Sequence, residues 1–600
     1  MASQTNPVSV YQARINELEI LLASLTKKRN LLGLLRFLAI IIAIASAWIL
    51  WGYGHALAII SFVIFFAAFL RLVILDVKNK GSIENTKTLI DINKEEIKIA
   101  AHEYTHRYEG AALAPAVHAY ASDLDIFGRA SLYQYLNRAN AEQGQRLFGE
   151  WLLDPSPEQQ IALRQEAAKA LCEKIEWRQQ LQAYGIKNSI TIATEDKIKK
   201  WLTEENHFIN NSFWKNSRYL FPSISLIALA LCIAGVIPTP IYFGIAFIFF
   251  VISGIASRKI NSLYLVLSKI APEVETFSDS IKWIEYLKIK NELVNTLQQQ
   301  LAASGSKASS AIKQLNKILE RLDLRLNPLV FIPLNTLLFW DLQQAFALEQ
   351  WKISNKENLS RWITSLAEIE ALNTIATMVF NHPQWQFPTI DNERGNLSAN
   401  DLGHPLIEPG KRVSSSFSTH GINQLALVTG SNMAGKSTFL RSIGVNVVLA
   451  MMGAPVCAES LTLSSMKVMS SMRIADNLEE NTSTFYAELK KLKSIIEAVN
   501  RNEKIFILLD EILRGTNSLD RHTGSKALIK QLIHQKAVGI IATHDIELAK
   551  LAEEFPENIH NYHFDVQVAN EELFFDYKLK SGVCQSMNAS ILMKKIGIEL

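Results

Sequence analysis

Eight residues carry the clearest chemistry in the chain: Gly430-Ser431-Asn432-Met433-Ala434-Gly435-Lys436-Ser437 spell G-x-x-x-x-G-K-[ST]. In such a loop the glycines let backbone N–H groups wrap a row of phosphates, and the helix that follows adds a favourable dipole. That chemistry assigns Lys436 to the β and γ phosphates and Ser437 to Mg2+, with Thr438 completing the nucleotide-binding run. A second apolar run, Lys504–Leu509, ends in Asp510-Glu511. An aspartate there can hold Mg2+ through water or Ser437, and the glutamate can polarise an attacking water. A third run, Ala537–Ala542, ends at Thr543-His544, where an imidazole can hydrogen-bond the γ-phosphate or that water. The catalytic candidates are therefore Glu511, His544 and Lys436, the metal candidates Ser437 and Asp510, and the implied ligands ATP and Mg2+. A separate motif, His102-Glu103-Tyr104-Thr105-His106, spells H-E-x-x-H. On a helix it sets both imidazoles on one face with Glu103 as general base for zinc hydrolysis. Arg107 and Tyr108 follow directly and no third ligand stands out by spacing. A solvated amphipathic helix explains these residues as well, so a zinc protease is the remote alternative.

The phosphate chemistry needs a strand, a glycine loop and a helix in that order. Leu425–Thr429 (LALVT) reads as a buried strand and Thr438–Leu449 as a helix, so the context is present. The other conspicuous elements are four uncharged apolar runs in two pairs: Phe37–Tyr53 with Ala56–Leu70, and Tyr219–Ile237 with Ile241–Ala256. Each falls slightly short of the roughly 20 residues that cross a bilayer as a helix, and flanking apolar residues can extend it. Lys27, Lys28, Arg29 and Arg36 precede the first pair and Arg71, Lys78 and Lys80 follow it. Lys215 and Arg218 precede the second, Arg258 and Lys259 follow it, and neither inner turn holds Lys or Arg. The positive-inside rule then predicts two membrane hairpins in the cell (inner) membrane, with both termini and every large soluble segment cytoplasmic.

Composition limits the remaining choices. Lys and Arg total 61 against 58 Asp and Glu, a formal charge of +3. That near-balance excludes a chain coating nucleic acid through bulk charge, though not one with a local basic groove. Hydrophobic residues at 48% and charged residues at 20% exclude disorder. Cys172, Cys232, Cys457 and Cys584 are scattered without metal-type spacing, as in a reduced interior rather than a disulfide scaffold. The expected organisation is an N-terminal segment 1–80 with a transmembrane hairpin (37–53, 56–75), helical core 81–215, a second hairpin within 216–258 (219–237, 241–256), helical core and lever 259–395, and an α/β P-loop domain 396–600.

The motifs together resemble those of the MutS family of ATPases. GSNMAGKSTFLRSIG resembles that family's GPNMGGKST loop, including the Asn-Met pair, and DEILRGTNSLD (Asp510–Asp520) its DE-x-GRGT-x-x-x-D segment. THDIEL (Thr543–Leu548) resembles TH-x-x-EL, and RIADNLEENTSTFYAEL (Arg473–Leu489) the signature ending in STF-x-x-E. Upstream, Asp123–Leu153 and Arg164–Ala167 resemble the start of the family's helical core, and Glu275–Phe387 has the composition and spacing of its long lever helices. The resemblance implies a head-to-tail homodimer of ATPase domains, with Ser483 contacting the partner's γ-phosphate and Asn432 contacting nucleotide within its own loop. It also implies DNA binding related to mismatch repair. Locally, Ser483 reads equally as a helix N-cap. The departures are large: a hairpin takes the place of the mismatch-reading domain with its Phe-x-Glu wedge, and the second hairpin interrupts the core where the family inserts its DNA clamp. Phe148-Gly149-Glu150 has the wedge spelling but lies within the core match. Ala434, Leu513 and Arg521 stand where the family has glycine. A membrane scaffold or mechanoenzyme without DNA recognition is the competing reading.

Overall fold

The computed structural model describes residues 6–302, 307–431, 433–473, 484–569 and 572–584. Its N-terminal region is mostly helical and its C-terminal region carries mixed α/β sheets. The chain opens with two very long helices, α1 (Pro7–Trp51) and α2 (His55–Ala100), antiparallel and joined by a turn at Gly52–Gly54. Asn6 accepts a hydrogen bond from the Val8 amide and Pro7 opens the first turn, both normal ways to start a helix. At 45 and 46 residues each helix is more than twice the length of a bilayer crossing of roughly 20 residues. The apolar runs form one end of the pair, where Ser61 Oγ donates to Ser46 Oγ at 2.8 Å. An Arg36–Asp76 ion pair (3.1 Å) marks the change to polar sequence. The far end docks on the helical core, with Tyr11 Oη donating to Asn381 Oδ1 (2.6 Å) and Arg14 Nε to Gln179 Oε1 (2.9 Å).

Short core helices follow: α3 (Leu132–Leu136), α4 (Glu142–Leu153), α5 (Glu158–Cys172), α6 (Ile175–Lys187) and α7 (Ile192–Thr203). A second apolar pair, α8 (Ser212–Ile233) and α9 (Thr239–Leu267), turns at Pro238 and Pro240. After it come α10 (Ala271–Glu285), α11 (Glu292–Leu301), α12 (Ala308–Leu322), α13 (Pro328–Leu338), α14 (Trp340–Asn355) and α15 (Leu359–Asn381). Helix α2 runs on past residue 80 and α9 past residue 258, so apolar and polar sequence share single helices. Among the described residues, five helices are long and apolar enough to cross a membrane by length and composition. One of them, α15, is 78% buried over its apolar window, against 6–17% for the other four. It packs on α4, α5 and α11 and is a core helix.

The C-terminal region holds two sheets. A small one, in the order β1-β5-β2-β3, joins β1 (Thr389–Asp391), β2 (Leu397–Leu402), β3 (Ser415–Thr419) and, later in the chain, β5 (Ser460–Ser464). The larger one contains β4 (Gln424–Thr429), β6 (Lys467–Ser471), β7 (Ile505–Asp510), β8 (Val538–Thr543), β9 (Ile559–Ala569) and β10 (Glu572–Ser581), in the order β10-β9-β4-β8-β7-β6. It is parallel from β6 to β9, with β10 antiparallel at the edge. Both faces are covered, as a parallel sheet requires. Alternate residues Leu425, Leu427, Ile507 and Leu509 point to α17 (Thr484–Asn500) and α18 (Ser518–His534). Ala426, Val428, Phe506 and Leu508 point the other way, to α16 (Lys436–Met452) and a core continuous with the helical region. The central pairing is tight: a Cβ at Gly539 on β8 would lie 2.2 Å from the Ile507 carbonyl oxygen. A short helix, α19 (Leu551–Glu554), precedes β9.

Candidate functional site

Neighbouring strands β4, β8 and β7 end at Thr429, Thr543 and Asp510, so the three sequence-singled tips converge at the carboxyl edge of the sheet. That edge is where open parallel sheets hold ligands. The glycine loop leaves β4 and enters α16. Met433 (φ 71°) and Gly435 (φ 105°) both take left-handed backbone there, and a Cβ at Gly435 would also come within 3.1 Å of the Tyr577 ring. Ala434 is buried and keeps a negative φ, so its methyl is accommodated without backbone strain. Asn432 and Ser483 lie outside the described residues.

Lys436 is buried, and its Nζ donates to the Gly430 (2.7 Å) and Ser431 (2.9 Å) carbonyl oxygens of its own loop. Burial pulls its pKa below the usual lysine range, opposed by the carboxylates of Glu511 and Asp510. Ser437 Oγ donates to Asp510 Oδ2 at 2.5 Å. The second oxygen, Asp510 Oδ1, is buried with no hydrogen-bond partner, and burial raises the carboxyl pKa above its ordinary value. A serine hydroxyl beside an orphaned, desolvated carboxylate oxygen is a donor set suited to a hard divalent cation such as Mg2+. Glu511 stands next to it in left-handed backbone (φ 50°), its amide donating to the Ala542 carbonyl (2.9 Å). Its carboxylate is flanked by His544 Nδ1 at 3.5 Å and Arg514 Nε at 3.3 Å. The loop, Lys436–Thr438 and Glu511 line a cleft of about 410 Å3 whose apolar walls include Ile407, Val413, Phe564 and Tyr577. Charged floor and apolar wall together suit a phosphorylated ligand with a flat ring system.

Four further residues support this cluster. Arg514 reaches both acids of the Asp510-Glu511 pair, at 3.8 Å and 3.3 Å. Glu488, on α17, is buried and accepts the Leu513 amide at 2.5 Å. Leu513 occupies left-handed backbone (φ 60°), so this residue keeps a glycine-like turn and Glu488 fixes its amide. One turn further along α17, Lys491 pairs with the fully buried Asp123 at 3.0 Å. Asp123 also accepts from Ser470 Oγ and the Met472 and Arg473 amides. The helical core thus grips the strand end before the STF-x-x-E signature and the helix after it. The last residue of the signature spelling, Glu488, carries the only hint the sequence gave of this contact. Removing its carboxylate leaves the Leu513 amide unpaired, so Glu488→Ala is expected to lower ATP turnover roughly tenfold while nucleotide affinity changes less than about threefold. Steady-state hydrolysis alongside a binding titration checks this, and equal losses in both would assign Glu488 a purely architectural role.

The zinc reading of residues 102–106 is corrected. Helix α2 ends at Ala100, His102 takes left-handed backbone (φ 59°), and the segment is a turn, so the one-face geometry of H-E-x-x-H is absent. The same turn replaces the amphipathic helix anticipated there. The His102 ring stacks on Tyr135 (5.4 Å, 3°), whereas His106 Nε2 meets Glu95 at 2.8 Å. No group of three or more His, Cys, Asp or Glu is arranged to hold a metal among the described residues. Phe148 is fully buried and Gly149 packs near Leu113 and Phe127, so the wedge-like spelling is part of the core.

The family model for MutS domain V matches residues 426–596. MutS protein homolog 4 of Homo sapiens is 34% identical over 196 residues, 31% of this chain and 20% of that protein. DNA mismatch repair protein MSH4 of Arabidopsis thaliana is 30% identical over 250 residues, 40% of this chain and 31% of its own length. DNA mismatch repair protein MutS of Natronomonas pharaonis is 29% identical over 237 residues, covering 38% and 27%. The matches therefore span about a fifth to a third of these curated relatives. The glycine loop and Glu511 line one cleft, His544 lies 3.5 Å from Glu511, and all of them fall within the region that is similar to domain V of the MutS family.

Proposed function

We propose that this protein is a membrane-anchored, Mg2+-dependent ATPase that works as a homodimer and couples nucleotide turnover to a change of shape. The observation that carries the reading is the Lys436–Ser437–Asp510–Glu511 cluster, of which Lys436, Ser437 and Glu511 line a cleft with an apolar wall. In it, Lys436 and the loop amides bind the phosphates, and Ser437 and Asp510 hold Mg2+, which supplies charge neutralisation at the phosphates. Glu511 orients and deprotonates the attacking water, with His544 beside it. Ser483 contributes from the partner protomer, as the family resemblance implies. The grip of Asp123 on both flanks of the signature supports transmission of the nucleotide state to the helical core. Four exposed apolar helices flanked by Lys and Arg support anchoring as two hairpins in the cell membrane, with both termini and the ATPase cytoplasmic.

Two of the three relatives carry DNA mismatch repair in their printed names, and DNA binding is the first reading of what the switch acts upon. The second reading, a membrane mechanoenzyme or scaffold, is favoured by the long apolar pair α1–α2 at the N-terminus and by the burial of Phe148. Detergent-purified protein is expected to hydrolyse ATP in a Mg2+-dependent way. Branched, mismatched and homoduplex DNA, titrated at several salt concentrations, separate the two readings. Stimulation by one substrate establishes DNA as the target, and no binding to any leaves the mechanoenzyme reading.

A further inference from the structure

From Leu326 to Trp340 the chain reads LNPLVFIPLNTLLFW, fifteen residues without a charge, and they lie against the second apolar pair. The charged residues on either side, Arg325 and Asp341, pair with each other at 3.2 Å. Entry and exit of the segment are therefore held at one level, so it cannot cross a bilayer. That level is fixed on α9: Ser257 Oγ donates to Asp341 Oδ2 (2.6 Å), Asn335 Nδ2 donates to Ser257 Oγ (3.2 Å), and Arg325 Nη2 donates to the Ser257 carbonyl (3.2 Å). Ser257 directly precedes Arg258 and Lys259, which follow the apolar part of that helix.

Between these anchors α13 rests on the apolar parts of α8 and α9. The Phe339 ring packs on Phe221 (5.1 Å) and Phe249 (5.6 Å), and Ser225 Oγ donates to the Thr336 carbonyl (3.5 Å). The opposite side of the segment is bare: Leu326 is 75% exposed, Leu329 88% and Ile332 47%. This surface continues the exposed apolar belt of α8 and α9, which includes Ile227 and Ile255. An apolar patch of this kind on a soluble face would be unusual. A short apolar helix held by polar anchors at the water boundary suits the headgroup–acyl boundary.

We infer that α13 is an interfacial membrane helix, docked beside the second hairpin with Leu326, Leu329 and Ile332 in lipid. The inference rests on the proposed membrane reading of α8 and α9 and adds a lipid contact that neither hairpin supplies. The test uses the full chain in phospholipid vesicles, with an environment-sensitive thiol-reactive fluorophore on Leu329→Cys, Ile227→Cys or Lys493→Cys. The unmodified sequence is labelled in parallel to subtract the native cysteines. Lipid-borne doxyl groups are expected to quench the probe at 329 and 227 alike, and aqueous iodide to quench it at 493 several-fold more than at either. Quenching at 329 by iodide as at 493, with 227 still lipid-quenched, overturns the inference and leaves the hairpin intact. Protection of 329 from both quenchers also overturns it, since a second protein surface then covers the helix. If 227 is not lipid-quenched either, the membrane reading fails and α13 falls with it.

Discussion

Lys436→Ala is expected to weaken magnesium-nucleotide binding by about 100-fold or more, and to abolish measurable hydrolysis with it. The ammonium is buried beneath the loop and already donates to two loop carbonyls, Gly430 and Ser431, from a position walled by Asp510 and Glu511. Phosphate oxygens are the better acceptors, and charge-assisted hydrogen bonds to them contribute about 1.5–3 kcal/mol each. Losing two such bonds corresponds to a factor of roughly 10²–10⁴ in affinity. The alanine variant also leaves two carboxylates facing a polyanion without their neighbouring cation, which adds repulsion in the same direction. Titration of a fluorescent ATP analogue in the presence of Mg2+ reads the loss directly. Affinity within about threefold of the unmodified protein would show that the triphosphate does not lie on this loop, and the ATPase reading would go with it.

The site was legible because its parts are local. A glycine loop and an acidic strand tip are short patterns whose chemistry depends on residues a few positions apart, and each ends an apolar run that reads as a strand. What brings Asp510 and His544 to Ser437 is the strand order β4-β8-β7, which no single run encodes. Glu488 and Asp123 were invisible as contacts for the same reason: the partner of Glu488 is 25 residues away and that of Asp123 is 368 away. The H-E-x-x-H spelling shows the reverse failure. Its spacing has meaning only on a helix, and α2 stops two residues before His102. The apolar runs located the exposed ends of α1, α2, α8 and α9. Hydropathy gave no reason for α1 to begin at Pro7 or α2 to run to Ala100, because those polar stretches become helical by packing on each other and on the core. Leu513 shows how far a glycine rule extends: the left-handed turn survives a leucine when a buried carboxylate holds its amide.

Glu511→Ala is expected to bind magnesium nucleotide normally while turning it over about 10²–10⁴-fold more slowly, the range for loss of a positioned general base. The separation of the two effects follows from the wiring of the site. Metal and phosphates are assigned to Asp510, Ser437, Lys436 and loop amides, none of which uses the Glu511 side chain as a hydrogen-bond partner. Glu511 raises the Asp510 pKa by like-charge repulsion, so its removal favours ionised Asp510 and a firmer hold on a divalent cation. It also removes a negative charge from the lining of the cleft assigned to a polyanion. Both effects predict unchanged or slightly tighter binding, so a fall in affinity to match the fall in rate would mean that Glu511 holds the loop rather than the water. Turnover near the unmodified rate would move the base elsewhere, with His544, 3.5 Å away, the first candidate. Single-turnover hydrolysis measured beside equilibrium binding distinguishes these outcomes, because it reads the chemical step without product release.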